Sequence, residues 1–167
     1  MKNESHSETY ADNYLLKLYH KVLRWPFGRT LFSRMFAAKA PYFKSIKPTI
    51  TQLEPNFCEL TFAKRHVVQN HIGTVHAIAL CNGLEMAMGA LAEASIPKHL
   101  RWIPKGMTVT YTAKADSDIR IVAKTDPQAW QPGDLPVQVQ GFRADGTLVI
   151  DGIITIYVSE KPQRKDL

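Results

Sequence analysis

The longest apolar stretch of the sequence, residues 77–94, places Ala, Ile, Leu and Met on nearly every side of a helical wheel instead of along one stripe. A helix that is apolar all round is buried, either in a membrane or inside a protein. Residues 77–84 are too few and too small-sided to cross a bilayer, Glu85 then interrupts them, and no stretch of the chain reads as a transmembrane helix. The pattern predicts a helix enclosed by the rest of the fold, most simply by a curved sheet. Glu85 is its one mid-helix charge, and a carboxylate there is costly unless it is paired or functional.

Around this helix the periodicities alternate between two kinds. Residues 10–24 put Tyr14, Leu15, Leu18, Tyr19, Val22 and Leu23 at helical spacing, and Trp25-Pro26 ends that run. A second short helix is expected over 29–39, closed by Pro41. Segments 45–53 and 57–63 are β-prone and are separated by the turn signal Glu54-Pro55-Asn56. After the buried helix, Pro97 and Lys98-His99 mark its end. Residues 107–113 alternate, with Met107, Val109, Tyr111 and Ala113 on one face and threonines on the other. Residues 119–123 alternate again, 126–136 read as a proline-containing loop, and 137–142 and 148–158 form two strands joined across Asp145-Gly146. The order is a helical arm, two strands, one enclosed helix, then four strands. It suits an α+β fold in which antiparallel strands wrap a single helix. The expected boundaries are an arm over 1–44, a domain over 45–160 and a polar tail over 161–167, with residues 1–9 polar and frayed.

Length and composition narrow the class. A chain of 167 residues with 45% hydrophobic content is one globular domain, or one domain with an appendage. Cys58 and Cys81 sit in apolar patterns and read as reduced core thiols, and no signal peptide is evident, so the cytoplasm is the expected compartment. The net charge of +6 is concentrated: residues 1–47 hold nine Lys/Arg against three Asp/Glu, and residues 48–167 hold twelve of each. The basicity belongs to the arm. No nucleic-acid-binding motif accompanies it, so no nucleic acid is expected as a partner. The arm reads as a helical packing element, or as a basic, aromatic-rich face for weak peripheral membrane contact or for an acidic carrier protein.

The segment Asn70-x-x-Gly73-x-x-His76, followed by an acid nine residues past the histidine, resembles the acyl-CoA thioesterases of the hot-dog superfamily. The nearer match is the phenylacetate-pathway branch, with its Asn-x-x-Gly-x-x-His-Gly-Gly and an Asp nine positions on. This sequence departs from that pattern at Ala77-Ile78 and at Glu85. A hot-dog subgroup of unassigned activity with Glu and His-Ala at these places looks nearer still. The resemblance covers roughly residues 45–160 in layout and is specific over 70–85. It implies the hot-dog fold, a homodimer or homotetramer with sites at a subunit interface, and hydrolysis of an acyl-CoA or acyl-carrier-protein thioester. In such proteins the acid and the loop come from opposite subunits. No cofactor is implied beyond the coenzyme A of the substrate.

Thioester hydrolysis needs something to hold the developing oxyanion and something to activate a nucleophile. The Gly73 and Thr74 amides lead into a helix N-terminus and are candidates for the first task. Glu85 is the candidate general base or nucleophile, with a pKa raised by desolvation. Asn70 is a candidate for orienting water or carbonyl, and equally for loop and cap chemistry. His76 and Asn82 complete the candidate binding residues, Asn82 also as a buried partner of Glu85. His66, His71 and His76 recur every five residues, a spacing that suits neither a helix face nor a strand face, so no metal site is expected. Two other readings stand beside hydrolysis. His71 and Glu85 are fourteen apart, as in hot-dog hydro-lyases, though the Pro-Gly-rich loop of those enzymes is missing. A non-catalytic acyl-thioester binder is the third, because Ala77-Ile78 narrows the helix start.

Overall fold

Asn13 opens the first helix: its side-chain oxygen accepts the Leu16 amide at 3.1 Å, and α1 follows over Tyr14–Val22. In this computed structural model residues 12–162 are described. The expected frayed leader over 1–9, the first residues of the helix expected over 10–24 and the end of the polar tail lie outside them. A tight corner leads into α2, Gly28–Lys39, and a 3-10 turn, Pro41–Ile46, leads into the sheet. Gly28 is required at that corner, because a Cβ there would stand 2.2 Å from the Val22 carbonyl oxygen.

Six strands follow: β1 Thr49–Glu54, β2 Phe57–Phe62, β3 Leu100–Tyr111, β4 Ile119–Lys124, β5 Gly133–Arg143 and β6 Leu148–Glu160. They form one antiparallel sheet in the order β1-β2-β4-β5-β6-β3. The third helix, α3, Ala77–Ser95, lies against β1, β2, β4, β5 and β6. Period-2 burial explains the sheet's inner face: Cys58, Leu60 and Phe62 of β2 alternate with half-exposed neighbours, as do Ile119, Ile121 and Ala123 of β4. From α3 come Leu84, Met86, Met88 and Leu91, each fully buried. Burial of each such side chain contributes about 1.5–3 kcal/mol. Gly83 allows the close approach, since a Cβ there would meet Phe62 at 3.0 Å and Ile121 at 3.1 Å. This is the hot-dog arrangement that the sequence pattern leads one to expect.

By length and composition α3 does pass as a membrane-spanning helix, which corrects the expectation that no stretch would. Its burial inside the sheet identifies it as a core helix. Two strands are also longer than their patterns suggest. β3 runs through Pro104 and Gly106 because it is an edge strand with a register shift there. β5 starts at Gly133, and Pro136 fits because β4 pairs with β5 only from Gln138 onward, leaving that stretch of β5 without a strand neighbour on one side among the described residues.

The arm shares the domain's core through Leu15, Leu16, Tyr19, Phe32 and Ala37. It also finishes the β1 edge of the sheet. The buried Ser33 hydroxyl accepts the Ile50 amide at 2.7 Å and donates to the Arg29 carbonyl at 2.6 Å. The Tyr19 hydroxyl donates to the Thr51 carbonyl at 3.3 Å. Edge groups that would otherwise invite another strand are thus occupied. At the other edge β3 pairs with β6 and with no other strand among the described residues, and Ile103 and Tyr111 on it are exposed.

Candidate functional site

Between β2 and α3 the chain crosses a 3-10 turn, His66–Val68, and Gln69 then bridges to Val75. The bridge pinches off residues 70–74 as a tight loop organised by Asn70. The Asn70 side-chain oxygen accepts the Ile72 and Thr74 amides, each at 3.1 Å, and its amide nitrogen donates to Thr74 Oγ1 at 2.8 Å. The Gly73 amide donates to the Asn70 carbonyl at 3.1 Å, and Gly73 takes the positive φ of 77° that the turn needs. Neither the Gly73 nor the Thr74 amide is therefore open to a substrate oxygen in this arrangement. His76 caps α3: its Nδ1 accepts the Ile78 amide at 3.0 Å, which leaves Nε2 to carry the proton of the neutral ring. The amide left at the positive end of the helix is that of Ala77, which has no hydrogen-bond partner among the described residues.

Further along α3, one stripe faces away from the sheet. Ile78 and Glu85 are exposed on it, Cys81 is half-buried, and Glu93 is exposed. Glu85 is therefore not the desolvated mid-helix acid expected from an all-round apolar run. The Glu85 side chain reaches out of the core. It lines a pocket of about 540 Å³ between α3 and the arm. Tyr14 and Leu15 of α1, Phe36 and Lys39 of α2, Phe43, and Trp102 of β3 form the other walls, with Met88 and Gly89 beside the acid. Glu93 shares the pocket but is held by the Trp102 indole N–H, which donates to it at 2.9 Å. Glu85 has no ion pair or hydrogen bond among the described residues. The arm, expected to pack outside or to face a partner, builds one wall of this pocket.

Asn82 does not partner Glu85. It is buried, and its amide nitrogen donates to the Tyr42 carbonyl at 3.2 Å and to Ser45 Oγ at 3.0 Å, tying α3 to the 3-10 turn. Its side-chain oxygen is buried without a partner among the described residues. Asn70, Gly73, Thr74 and His76 are brought together in the loop, whereas Glu85 lies eight residues down the helix from Ala77. At 1.5 Å per residue that is about 12 Å. One thioester carbonyl cannot touch both ends within a single chain.

Sequence reasoning missed the aromatic walls, because Tyr14, Phe36, Phe43 and Trp102 lie far apart in the chain. It also missed Tyr111, whose hydroxyl lies 3.9 Å from Cys81 Sγ, with that contact and then burial holding its pKa above the usual range. Cys81 is thus on the outward stripe and not in the core, whereas Cys58 is buried and its thiol is pushed well up by desolvation. The signal that could have found the stripe is Cys81, Glu85, Gly89 and Glu93 at four-residue spacing. Among the described residues no three His, Cys, Asp or Glu gather where a metal ion could be held. A more open recess of about 690 Å³ lies at Thr108, Thr110, Lys124, Asp126, Gln138 and Asp151. It includes neither Glu85 nor the Asn70 loop, so it is set apart from this site.

Residues 28–158 match the family described as a domain of unknown function (DUF4442), and the chain belongs to that family. No curated protein is similar to it. Among solved structures, the genomics protein APC5556 is 45% identical, with 89% of this chain and 99% of that one covered and a TM-score of 0.78. PA5026 of Pseudomonas aeruginosa, described as a probable thioesterase, is 21% identical over 82% of this chain and 97% of its own, with a TM-score of 0.72. A thioesterase family protein from Silicibacter pomeroyi is 16% identical over 81% and 100%, with a TM-score of 0.66. These last two likenesses are of fold.

Proposed function

We propose that this protein hydrolyses acyl thioesters of coenzyme A or of an acyl carrier protein, with Glu85 as general base. The observation that carries the reading is Glu85 itself. It is a carboxylate without a partner among the described residues, opening on a pocket of about 540 Å³ walled by aromatic side chains and lysines. A fold shared with proteins called thioesterases supports it. A water deprotonated by Glu85 adds to the thioester carbonyl carbon, and the oxygen gains charge beside backbone N–H at a helix start. The carbon–sulfur bond then breaks, and the thiolate takes the proton back from Glu85. The products are a carboxylic acid and a thiol.

The amide best suited to the oxyanion is that of Ala77, because those of Gly73 and Thr74 serve the loop. Since Ala77 and Glu85 are about 12 Å apart along one helix, the reading requires two copies. The helix start of one then faces the acid of the other. The free edge of β3 is the surface we assign to that dimer. Asn70 acts by shaping the loop, His76 by fixing the helix start, and Asn82 by anchoring α3 to the turn beside the pocket.

The test is a hydrolysis screen of acyl-CoAs of increasing length, run beside Glu85→Gln. Turnover is expected to fall by about 10²-fold or more, as when a general base is lost. Asn70→Ala should weaken turnover less, and His71→Ala little. A severe loss in His71→Ala with hydration of an enoyl thioester would favour the hydro-lyase reading. Ligand binding without turnover in the parent protein would favour the binder.

A further inference from the structure

We infer that the corner between α1 and α2 is a docking face for an anionic lipid bilayer, with Trp25, Phe27, Leu31 and Met35 entering the interfacial layer. This goes beyond the proposed hydrolysis and does not depend on it. Phe27 is 86% exposed and Trp25 is 67% exposed, so both rings stand clear of the chain's own surface. Leu31 and Met35 continue from Phe27 at four-residue spacing, and each is more than two-fifths exposed. Helix α2 thus has two apolar sides, one burying Phe32 and Ala37 in the core and one turned outward. Isolated exposed apolar residues are ordinary, but a contiguous row with two aromatics at its tip marks an interaction surface.

The corner is built to hold this display. Phe27 has φ 61° and ψ 21°, a left-handed backbone that a residue with a Cβ seldom adopts and that glycine or asparagine would adopt more readily. Hydrogen bonds fix it on both sides, from the Gly28 amide to the Trp25 carbonyl and from the Leu31 amide to the Phe27 carbonyl, each at 3.0 Å. Strain of this kind, kept at an exposed phenyl, is an observation that points to use. Charge supplies the second, independent line. Residues 12–47 carry eight Lys/Arg and one acid, Asp12. Asp12 is engaged by Lys17 and Lys98, whereas Lys21, Arg24 and Arg34 form no ion pair among the described residues. Aromatic rings flanked by cations that form no ion pair among the described residues match the interfacial layer and headgroups of an anionic membrane. A protruding corner suits a fluid surface better than the groove a peptide partner would need. The matched family domain starts at residue 28, so α1, Trp25 and Phe27 lie ahead of it.

The experiment is co-sedimentation of the full chain with vesicles of phosphatidylcholine, with and without phosphatidylserine, at low and physiological salt. Binding is expected only with phosphatidylserine and should weaken with salt. Phe27→Gly relieves the backbone while removing the ring. It should lower vesicle partitioning about tenfold, leaving the thermal midpoint equal or higher and the turnover of soluble acyl-CoA unchanged. Absence of binding to phosphatidylserine vesicles at low salt overturns the inference, as does binding that Phe27→Gly leaves untouched. A fall in solution mass with Phe27→Gly, without vesicle binding, assigns the face to a second copy. Retention of the protein on an acyl carrier protein, again without vesicle binding, assigns it to an acidic protein. Both of these outcomes also overturn it.

Discussion

The Trp102 indole N–H donates to Glu93 at 2.9 Å, so of the two acids on the outward stripe of α3 one is held, and the other, Glu85, has no partner among the described residues. The two carboxylates share a pocket wall and differ in what they can do there. Glu93→Gln keeps an acceptor for the indole and should change hydrolysis less than threefold or so. Glu85→Gln should reduce kcat by about 10²-fold. Steady-state kinetics of the two variants on one acyl-CoA decides the matter, and equal losses would count against Glu85 as the base.

Ser33 gives a stability prediction. Its hydroxyl is the acceptor for the fully buried Ile50 amide at 2.7 Å. Ser33→Ala leaves that amide without a partner, and unfolding in denaturant should show a loss of about 1–3 kcal/mol. Ser33→Thr retains the acceptor and should cost less.

The β5–β6 hairpin gives a pH prediction. Arg143, paired with Asp145 at 2.6 Å, together with the Thr147 amide holds the Asp145 carboxyl down at about 2. A depressed folded-state pKa stabilises the protein above the unfolded value of about 3.9 and loses that contribution as pH falls toward 2. The difference in thermal midpoint between the parent and Asp145→Asn should therefore be steady at neutral pH. It should shrink between about pH 4 and pH 2. A difference that does not change across this window would remove the pair from the account.

The open edge of β3 gives an assembly prediction. Light scattering should report about twice the 18.9 kDa of one chain, or a multiple of that pair. Ile103→Lys places a charge on the exposed part of that strand, a device that keeps edges apart. It should shift the mass to 18.9 kDa and lower turnover with it, because the proposed mechanism draws on two copies.

Much of the fold is legible in the sequence because it rests on short periods. The alternation of β3 and β4, the Asn56 and Gly146 turns with their positive φ, and the enclosed helix all follow from neighbours a few residues apart. The Asn70 loop was legible too, as a cap-and-turn pattern. The position of Glu85 was not. The residues flanking it on the stripe are Cys81 and Gly89, small enough to read as core, and what covers a stripe is decided by distant elements. The arm's part was hidden for the same reason. Ser33 meets Ile50 and Tyr19 meets Thr51 through single polar atoms, which leave no periodic trace.

The Ser33 and Tyr19 hydroxyls, which finish one side of the sheet, also set how far copies of this chain can add to one another. A sheet with two bare margins can accept a neighbour at each and grow without limit into a filament. Here the β1 margin is stoppered by the chain's own helices, so strand-to-strand addition has one place to occur. Two copies meeting there form a closed pair with no margin left over. Loosening the arm would reopen the other margin, and the same sequence would then gain a route from a finite assembly to polymerisation.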